Sequence, residues 1–131
     1  MARLVSTRAT CPRKLVGCVI VDPDNLIVMT GYNGAPSGQL HCEEAGCELA
    51  NIDGKDSCVR VIHAEENAIV RAGLGAKGCR LYTTVIPCYD CAKRIVQAGI
   101  NEVFYIEYYD SRKTVLTEHF MRAAGVRLVK V

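Results

Sequence analysis

Two short stretches carry residue types that do chemistry together: His63-Ala-Glu65 and Pro87-Cys-Tyr-Asp-Cys91. Helical spacing puts Cys88, Cys91, Ala92, Ile95 and Ala98 on one face, so both thiols are expected to point inward. Pro87 suits the position just before such a helix, where a missing N–H costs little. A helix N-terminus also favours thiolate over thiol. Inward thiolates need a cation. The segment after His63 repeats the pattern, with Glu65, Ala68, Ile69 and Ala72 on one stripe. That places the Glu65 carboxylate on a buried face and leaves Glu66 as the solvated one. Burying an unpaired polar group costs on the order of 2–7 kcal/mol, and an isolated charge costs more.

One imidazole and two thiolates supply three ligands to a tetrahedral zinc ion and leave the fourth position to water, which then ionises near pH ~7. Glu65 beside them is placed as a proton carrier. A redox dithiol would explain C-x-x-C but neither the His-Ala-Glu run nor an inward glutamate. A closed structural zinc site would want a fourth protein ligand, which Glu65 does not obviously provide.

The elements that must position these groups follow from periodicity. Residues 2–9 suit a short helix. Val16–Val21 and Leu26–Thr30 read as strands joined by the turn Asp22-Pro-Asp-Asn25, that is, a hairpin. Residues 31–62 show no clear period beyond a short helix near Glu43–Ala50; so long an irregular segment is usually functional or pinned. Order resumes with a helix at His63–Ala72, a strand at Arg80–Thr84, a helix at Cys88–Ala98 and a strand at Val103–Ile106. A helix at Lys113–Ala124 carries Leu116, His119, Phe120 and Ala123 on one stripe; Gly125 stops it before a last strand, Val126–Val129. The order β-β-α-β-α-β-α-β predicts an α/β protein: a three-layer α/β/α sandwich around a five-stranded mixed sheet, with the later strands parallel.

At 131 residues the chain reads as one domain, 1–131, long enough for a real core. A net charge of +2 argues against a large polyanion-binding face, so nucleic acid is not an expected partner. The first ten residues lack a signal-peptide core and no run is long enough to span a bilayer, which makes the cytoplasm the expected location and a membrane role unexpected. Eight cysteines in a reducing compartment point to metal before disulfides.

H-x-E followed by P-C-x-x-C is a signature already described for zinc nucleobase deaminases. The chain resembles the cytidine and deoxycytidylate deaminase family over nearly its whole length, and within it the deoxycytidylate (dCMP) branch of bacterial and phage type. The resemblance rests on Cys11–Gly17, Gly31–Gly38 (GYNGAPSG), His63–Ile69, Pro87–Lys93 and Gln97–Ile100. It departs at the N-terminus, where many relatives carry a longer first helix. The resemblance implies zinc held by His63, Cys88 and Cys91, attack by water on C4 of cytosine, and Glu65 moving protons from water to N3 and to the departing ammonia. It implies that backbone near Ala64 holds the base edge, that Asn33 meets the sugar and that Tyr109 meets the phosphate. It also implies a homo-oligomer, with a hexamer favoured, and dCTP and dTTP as candidate effectors.

From the residues themselves, Arg8, Arg13 and Lys14 cluster before the first strand, and Arg13 or Lys14 is the expected added phosphate contact. Asn33-Gly34 is also a favoured turn dipeptide, and Tyr109 could equally pack at the core edge, with Tyr108 and Asp110 beside it. Cys11, Cys42, Cys47 and Cys58 suggest a second, closed zinc site that would pin residues 31–62, with His41 able to replace one ligand. The resemblance favours Cys11 and Cys42 in that set. Cys18 and Cys79 read as core residues, and His119 as packed or at a subunit contact.

The leading expectation is therefore zinc-dependent deamination of dCMP to dUMP, supplying thymidylate synthesis. The alternatives are the same chemistry on cytidine, guanine, a riboflavin precursor or tRNA adenosine, or a non-catalytic zinc-binding module. An intact Glu65 argues against the last, because holding zinc does not require it.

Overall fold

The computed structural model describes residues 1–131 except Pro12, Asp53 and Gly54; the side chains of Glu43 and of residues 51, 52 and 55–58 also lie outside the description. The chain runs α1 (Ala2–Ser6), β1 (Gly17–Val21), β2 (Ile27–Tyr32), α2 (Cys42–Ala45), β3 (Leu49–Ile52), β4 (Lys55–Cys58), α3 (Ala64–Ala72), a 3-10 turn (Gly73–Ala76), β5 (Arg80–Val85), α4 (Tyr89–Ala98), β6 (Glu102–Glu107), α5 (Arg112–Ala123) and β7 (Arg127–Lys130).

Five strands form one mixed sheet in the order β2-β1-β5-β6-β7. β1 is antiparallel to both β2 and β5, whereas β5, β6 and β7 run parallel. The β5-α4-β6 and β6-α5-β7 crossovers advance the same way across the sheet, and the common right-handedness of such units places α4 and α5, which touch each other, on one face. α3 packs on β1, β2 and α4, so it shares that face. The core lies between these helices and the inward-facing Cys18, Ile20, Leu81 and Val103 of the strands, closed by Ile95, Met121 and Leu128. The opposite face carries the five-residue α1 packed on β1. The predicted five-stranded mixed sheet is borne out, as is the order of the strands and helices that build it, with a second outer layer of this single short helix.

Parallel crossovers start each helix at the carboxyl end of the strand before it. α4 therefore begins just past β5, with Cys88 as its N-cap, and Gly99 ends it in the left-handed conformation at φ 81°. Gly31 lets α3 come down onto the sheet. A methyl group there would collide with the Ala64 carbonyl oxygen and sit 2.7 Å from the Ala68 nitrogen. Gly31→Ala is accordingly expected to cost about 1–3 kcal/mol in denaturant unfolding and to push α3 outward. Unchanged stability would show that this approach is not as close as drawn.

Three expectations need correction. The predicted 43–50 helix is only Cys42–Ala45; residues 49–58 contain a two-stranded antiparallel hairpin instead. An Asp53-Gly54 dipeptide, a strong hairpin signal, stands between its strands in the sequence, and two residues have no period to show. β2 extends two residues further, through Gly31 and Tyr32. On α5 the buried side is Thr114, Thr117 and Met121, whereas Leu116, His119 and Ala123 face outward. Two threonines on the inner stripe hid it from an apolar-spacing count; Thr117, 1% exposed, satisfies its hydroxyl on the Lys113 carbonyl at 2.9 Å.

Candidate active site

His63 and Cys88 each occupy the N-cap of a helix, α3 and α4, with extended backbone at the cap. Both caps fall at the same end of the sheet. The result is that Nδ1 of His63 lies 3.4 Å from Sγ of Cys88 and 3.4 Å from Sγ of Cys91. The three donor atoms all fall within 4.8 Å of one another, the arrangement of a group able to hold a metal ion. A tetrahedral ion with Zn–S ~2.3 Å and Zn–N ~2.0–2.1 Å would space a sulfur and a nitrogen ligand about 3.6 Å apart. The observed spacing fits such an ion, and the donor set of two sulfurs and one imidazole suits zinc.

The two thiols differ. Cys91 is buried on the inner face of α4, as expected, but Cys88 is exposed. Helical periodicity does not govern a cap residue, whose backbone is extended; Cys88 reaches the site because its sulfur turns back over the helix and accepts the Cys91 N–H at 3.4 Å. The hydrogen bond from the Cys91 thiol, helped by His63, draws Cys88 down to about 4. The bond to Cys88 pushes His63 up to about 9. Cys91, donating to Cys88 and buried, is pushed well up. The three donors thus crowd one small space and compete for few protons, so a cation that takes the place of those protons can be held by all three.

Glu65, in the first turn of α3 two residues after the His63 cap, is 4% exposed and close enough to feel the charges on His63 and Cys88. The Thr83 hydroxyl donates to its Oε1 at 2.9 Å. Burial pushes the Glu65 carboxyl above its ordinary range, while its own N–H, Thr83 and His63 pull the other way. Thr83 escaped the sequence reading because a threonine in a strand carries no signal of its partner; its being one of two adjacent threonines in β5 was the only hint. Glu66 is not simply solvated. It pairs with Arg94 at 2.9 Å and ties α3 to α4 beside the site.

The remaining candidates separate into two groups. Asn33 is buried, and its carboxamide is committed to backbone: Nδ2 donates to the Lys14 carbonyl at 2.7 Å and Oδ1 accepts from the Val16 N–H at 2.8 Å. The Gly34 N–H donates to the Ile62 carbonyl at 3.3 Å, which puts Asn33 alongside the residue leading into His63. The Lys14 ammonium lies 2.8 Å from the Glu107 carboxylate and 4.6 Å from the centre of the Tyr109 ring. Tyr109 and Arg13 are exposed, and Ala64 is fully buried at the first turn of α3. Of the second-metal candidates, Cys11 and Cys42 are buried and Cys47 is half-buried, whereas the Cys58 side chain lies outside the described residues. Among the described residues, His63, Cys88 and Cys91 form the one group of three with metal-ligand spacing. Cys18 and Cys79 are core residues, as expected. A cleft of about 690 Å³ opens beside the site between the 34–39 segment and α3, lined by Tyr32, Pro36, His41, Asn67 and Arg71 among others. Among the described residues, no helix is long and apolar enough to cross a membrane.

Comparison with known proteins agrees with this geometry. A family model for the cytidine and deoxycytidylate deaminase zinc-binding region matches residues 1–107. The chain is 38% identical over 133 residues to ComE operon protein 2 of Bacillus subtilis, an alignment covering 99% of this chain and 67% of that protein. It is 41% identical over 135 residues to the deoxycytidylate deaminase of Schizosaccharomyces pombe, where 98% of this chain covers only 41% of the relative. Among solved structures, the dCMP deaminase of cyanophage S-TIM5 in complex with dCMP and dUMP superposes with a TM-score of 0.79 at 34% identity, covering 99% of this chain and 90% of that one. With a zinc-type donor set at the joined N-termini of α3 and α4, and a family match running from residue 1 to residue 107, the chain belongs to the cytidine and deoxycytidylate deaminase zinc-binding family.

Proposed function

We propose that the protein is a dCMP deaminase, hydrolysing dCMP to dUMP and ammonia for thymidylate synthesis. The observation that carries the reading is a buried carboxylate, Glu65, set against three metal-ligating donors that lack a fourth protein ligand among the described residues. A zinc ion held by His63, Cys88 and Cys91 would supply Lewis acidity, lowering the pKa of water to about 7. Glu65 then acts as base and as acid. Burial makes it a stronger base than an ordinary carboxylate, so it can take a proton from water and give it to ring N3. It carries the second proton to the leaving amine. Water oxygen becomes the 4-oxo group, the C4–N bond breaks, and ammonia departs with the nitrogen. Thr83 holds the carboxylate in place through both transfers.

The monophosphate is favoured by Lys14 and Tyr109 at the carboxyl end of β6, where parallel sheets receive ligands, with Arg13 close by in sequence. Ala64 backbone would meet the base edge. Asn33 would act on the sugar side, directly or through the backbone it holds. The same reading includes a single domain over 1–131, a cytoplasmic homo-oligomer, a hexamer, and dCTP and dTTP as effectors, for which the cleft beside Gly31–Gly38 and Arg71 is the natural place. It also includes a second, structural zinc on Cys11, Cys42, Cys47 and Cys58.

Purified protein incubated separately with dCMP, dCTP, deoxycytidine and CMP, followed by loss of cytosine absorbance, is expected to turn over dCMP fastest, at least about tenfold ahead of deoxycytidine in kcat/KM. Ammonia release from the free nucleoside alone would overturn the monophosphate assignment. Two zinc ions per chain in the same preparation are expected; one would remove the second site.

A further inference from the structure

We infer that Glu107 is a specificity-determining residue, an internal anion that occupies Lys14 and that a substrate phosphate must displace. The inference rests on the monophosphate reading above and names a residue that reading did not use. Lys14 lies on the irregular segment before β1, yet its position is defined. Asn33 grips the backbone on both sides of Leu15, through the Lys14 carbonyl and the Val16 N–H. Glu107 is equally well placed: its carbonyl accepts the Ile86 N–H at 2.9 Å, and it sits opposite Val85 in the β5–β6 register. Cys88 follows Ile86 by two residues, and His63 follows Ile62, the partner of Gly34. The Lys14–Glu107 pair therefore ties the segment before β1 to the end of β6, and the backbone partners of each lead on, within a few residues, to His63 on one side and Cys88 on the other.

The pair is built to be exchanged. Its side chains are 38% and 57% exposed, so solvent screens the attraction and the bond is weak. A phosphate offers Lys14 more negative charge and more acceptor oxygens than one carboxylate. The Tyr109 ring lies 4.6 Å from the same ammonium, a second contact that would hold the cation in place when Glu107 lets go. A free nucleoside brings nothing to displace Glu107 and gains nothing from Lys14. Glu107 thus opposes the phosphate that Lys14 attracts and sets how strongly the two substrates are distinguished.

The test compares kcat/KM for dCMP and for deoxycytidine in wild type, Glu107→Gln and Lys14→Met. Glu107→Gln is expected to raise the dCMP-to-deoxycytidine ratio about threefold to fivefold through a lower KM for dCMP, the size of one exposed ion pair. Lys14→Met is expected to lower the ratio about tenfold, through KM. A Glu107→Gln ratio that stays put or falls overturns the inference. So does an equal loss on both substrates, which would mark Glu107 as a structural brace. If wild type deaminates neither compound, the functional reading has failed separately. Calorimetric titration with inorganic phosphate then decides: binding tightened about threefold to fivefold by Glu107→Gln and weakened by Lys14→Met supports the exchange, and equal binding in all three proteins overturns it.

Discussion

Glu65→Ala is expected to purify folded and loaded with zinc, and to deaminate dCMP about 10⁴-fold more slowly than wild type, the upper range for losing a general acid–base group. The size follows from one carboxylate serving both transfers, to N3 and to the leaving amine, with no second acid within reach of Glu65 in the described hydrogen bonds. The metal donors are untouched, since Glu65 is not among them. Glu65→Gln should be equally inactive and, with the metal stripped, more stable than wild type. Burial raises the folded-state pKa of Glu65 above the ordinary 4.5. The native protein therefore holds that proton more tightly than the unfolded chain, and stability falls as pH rises from the unfolded value through the raised folded one. Glutamine keeps the Thr83 bond and carries no charge to desolvate, so that decline should be missing from its stability–pH curve. Metal analysis, initial rates and thermal melts between pH 4 and 8 measure all three expectations. Normal turnover in either variant would remove Glu65 from the chemistry.

Cys88→Ser should separate a cap from a ligand. As N-cap of α4, Cys88 accepts the Cys91 N–H, and serine is among the best residues for that task. Its hydroxyl, however, stays protonated where the Cys88 thiol is drawn down to about 4. The variant is expected to keep wild-type circular dichroism, to lose zinc affinity by a hundredfold or more, and with it at least about 10³-fold in activity. Cys91→Ser should lose zinc too and in addition destabilise the fold by about 1–3 kcal/mol, because its hydroxyl would be buried on the inner face of α4. Equilibrium dialysis against a zinc indicator and urea unfolding distinguish the two. Stoichiometric zinc in both variants would rule out this metal centre.

The difference between these cysteines shows where sequence reading reaches its limit. Inside α4, periodicity assigned Cys91, Ala92 and Ile95 to the core correctly, as it assigned Glu65 and Ala68 on α3. At the cap it failed, because Cys88 is not helical. On α5 it chose the wrong face, because threonines whose hydroxyls are satisfied locally, Thr117 on the Lys113 carbonyl and Thr114 on Ser111, look polar in a one-residue scale. Residues 31–62 defeated it most. Short elements leave too few repeats for a period to appear, and the 49–58 hairpin was legible only through its Asp-Gly dipeptide.

Donor chemistry belonged to the sequence alone. A histidine two residues before a glutamate, and two cysteines three apart behind a proline, specify which atoms can bind a soft divalent ion and which can carry protons, since residue type sets pKa and ligand softness. Their meeting at 3.4 Å did not. Twenty-five residues separate His63 from Cys88, and no local rule spans them. Parallel crossovers bring the two helix starts to one end of the sheet, and the close approach at Gly31 brings α3 down to it. The same packing decided that Thr83 would hold Glu65 and that Glu107 would hold Lys14, partners 18 and 93 residues away that only a folded chain can choose.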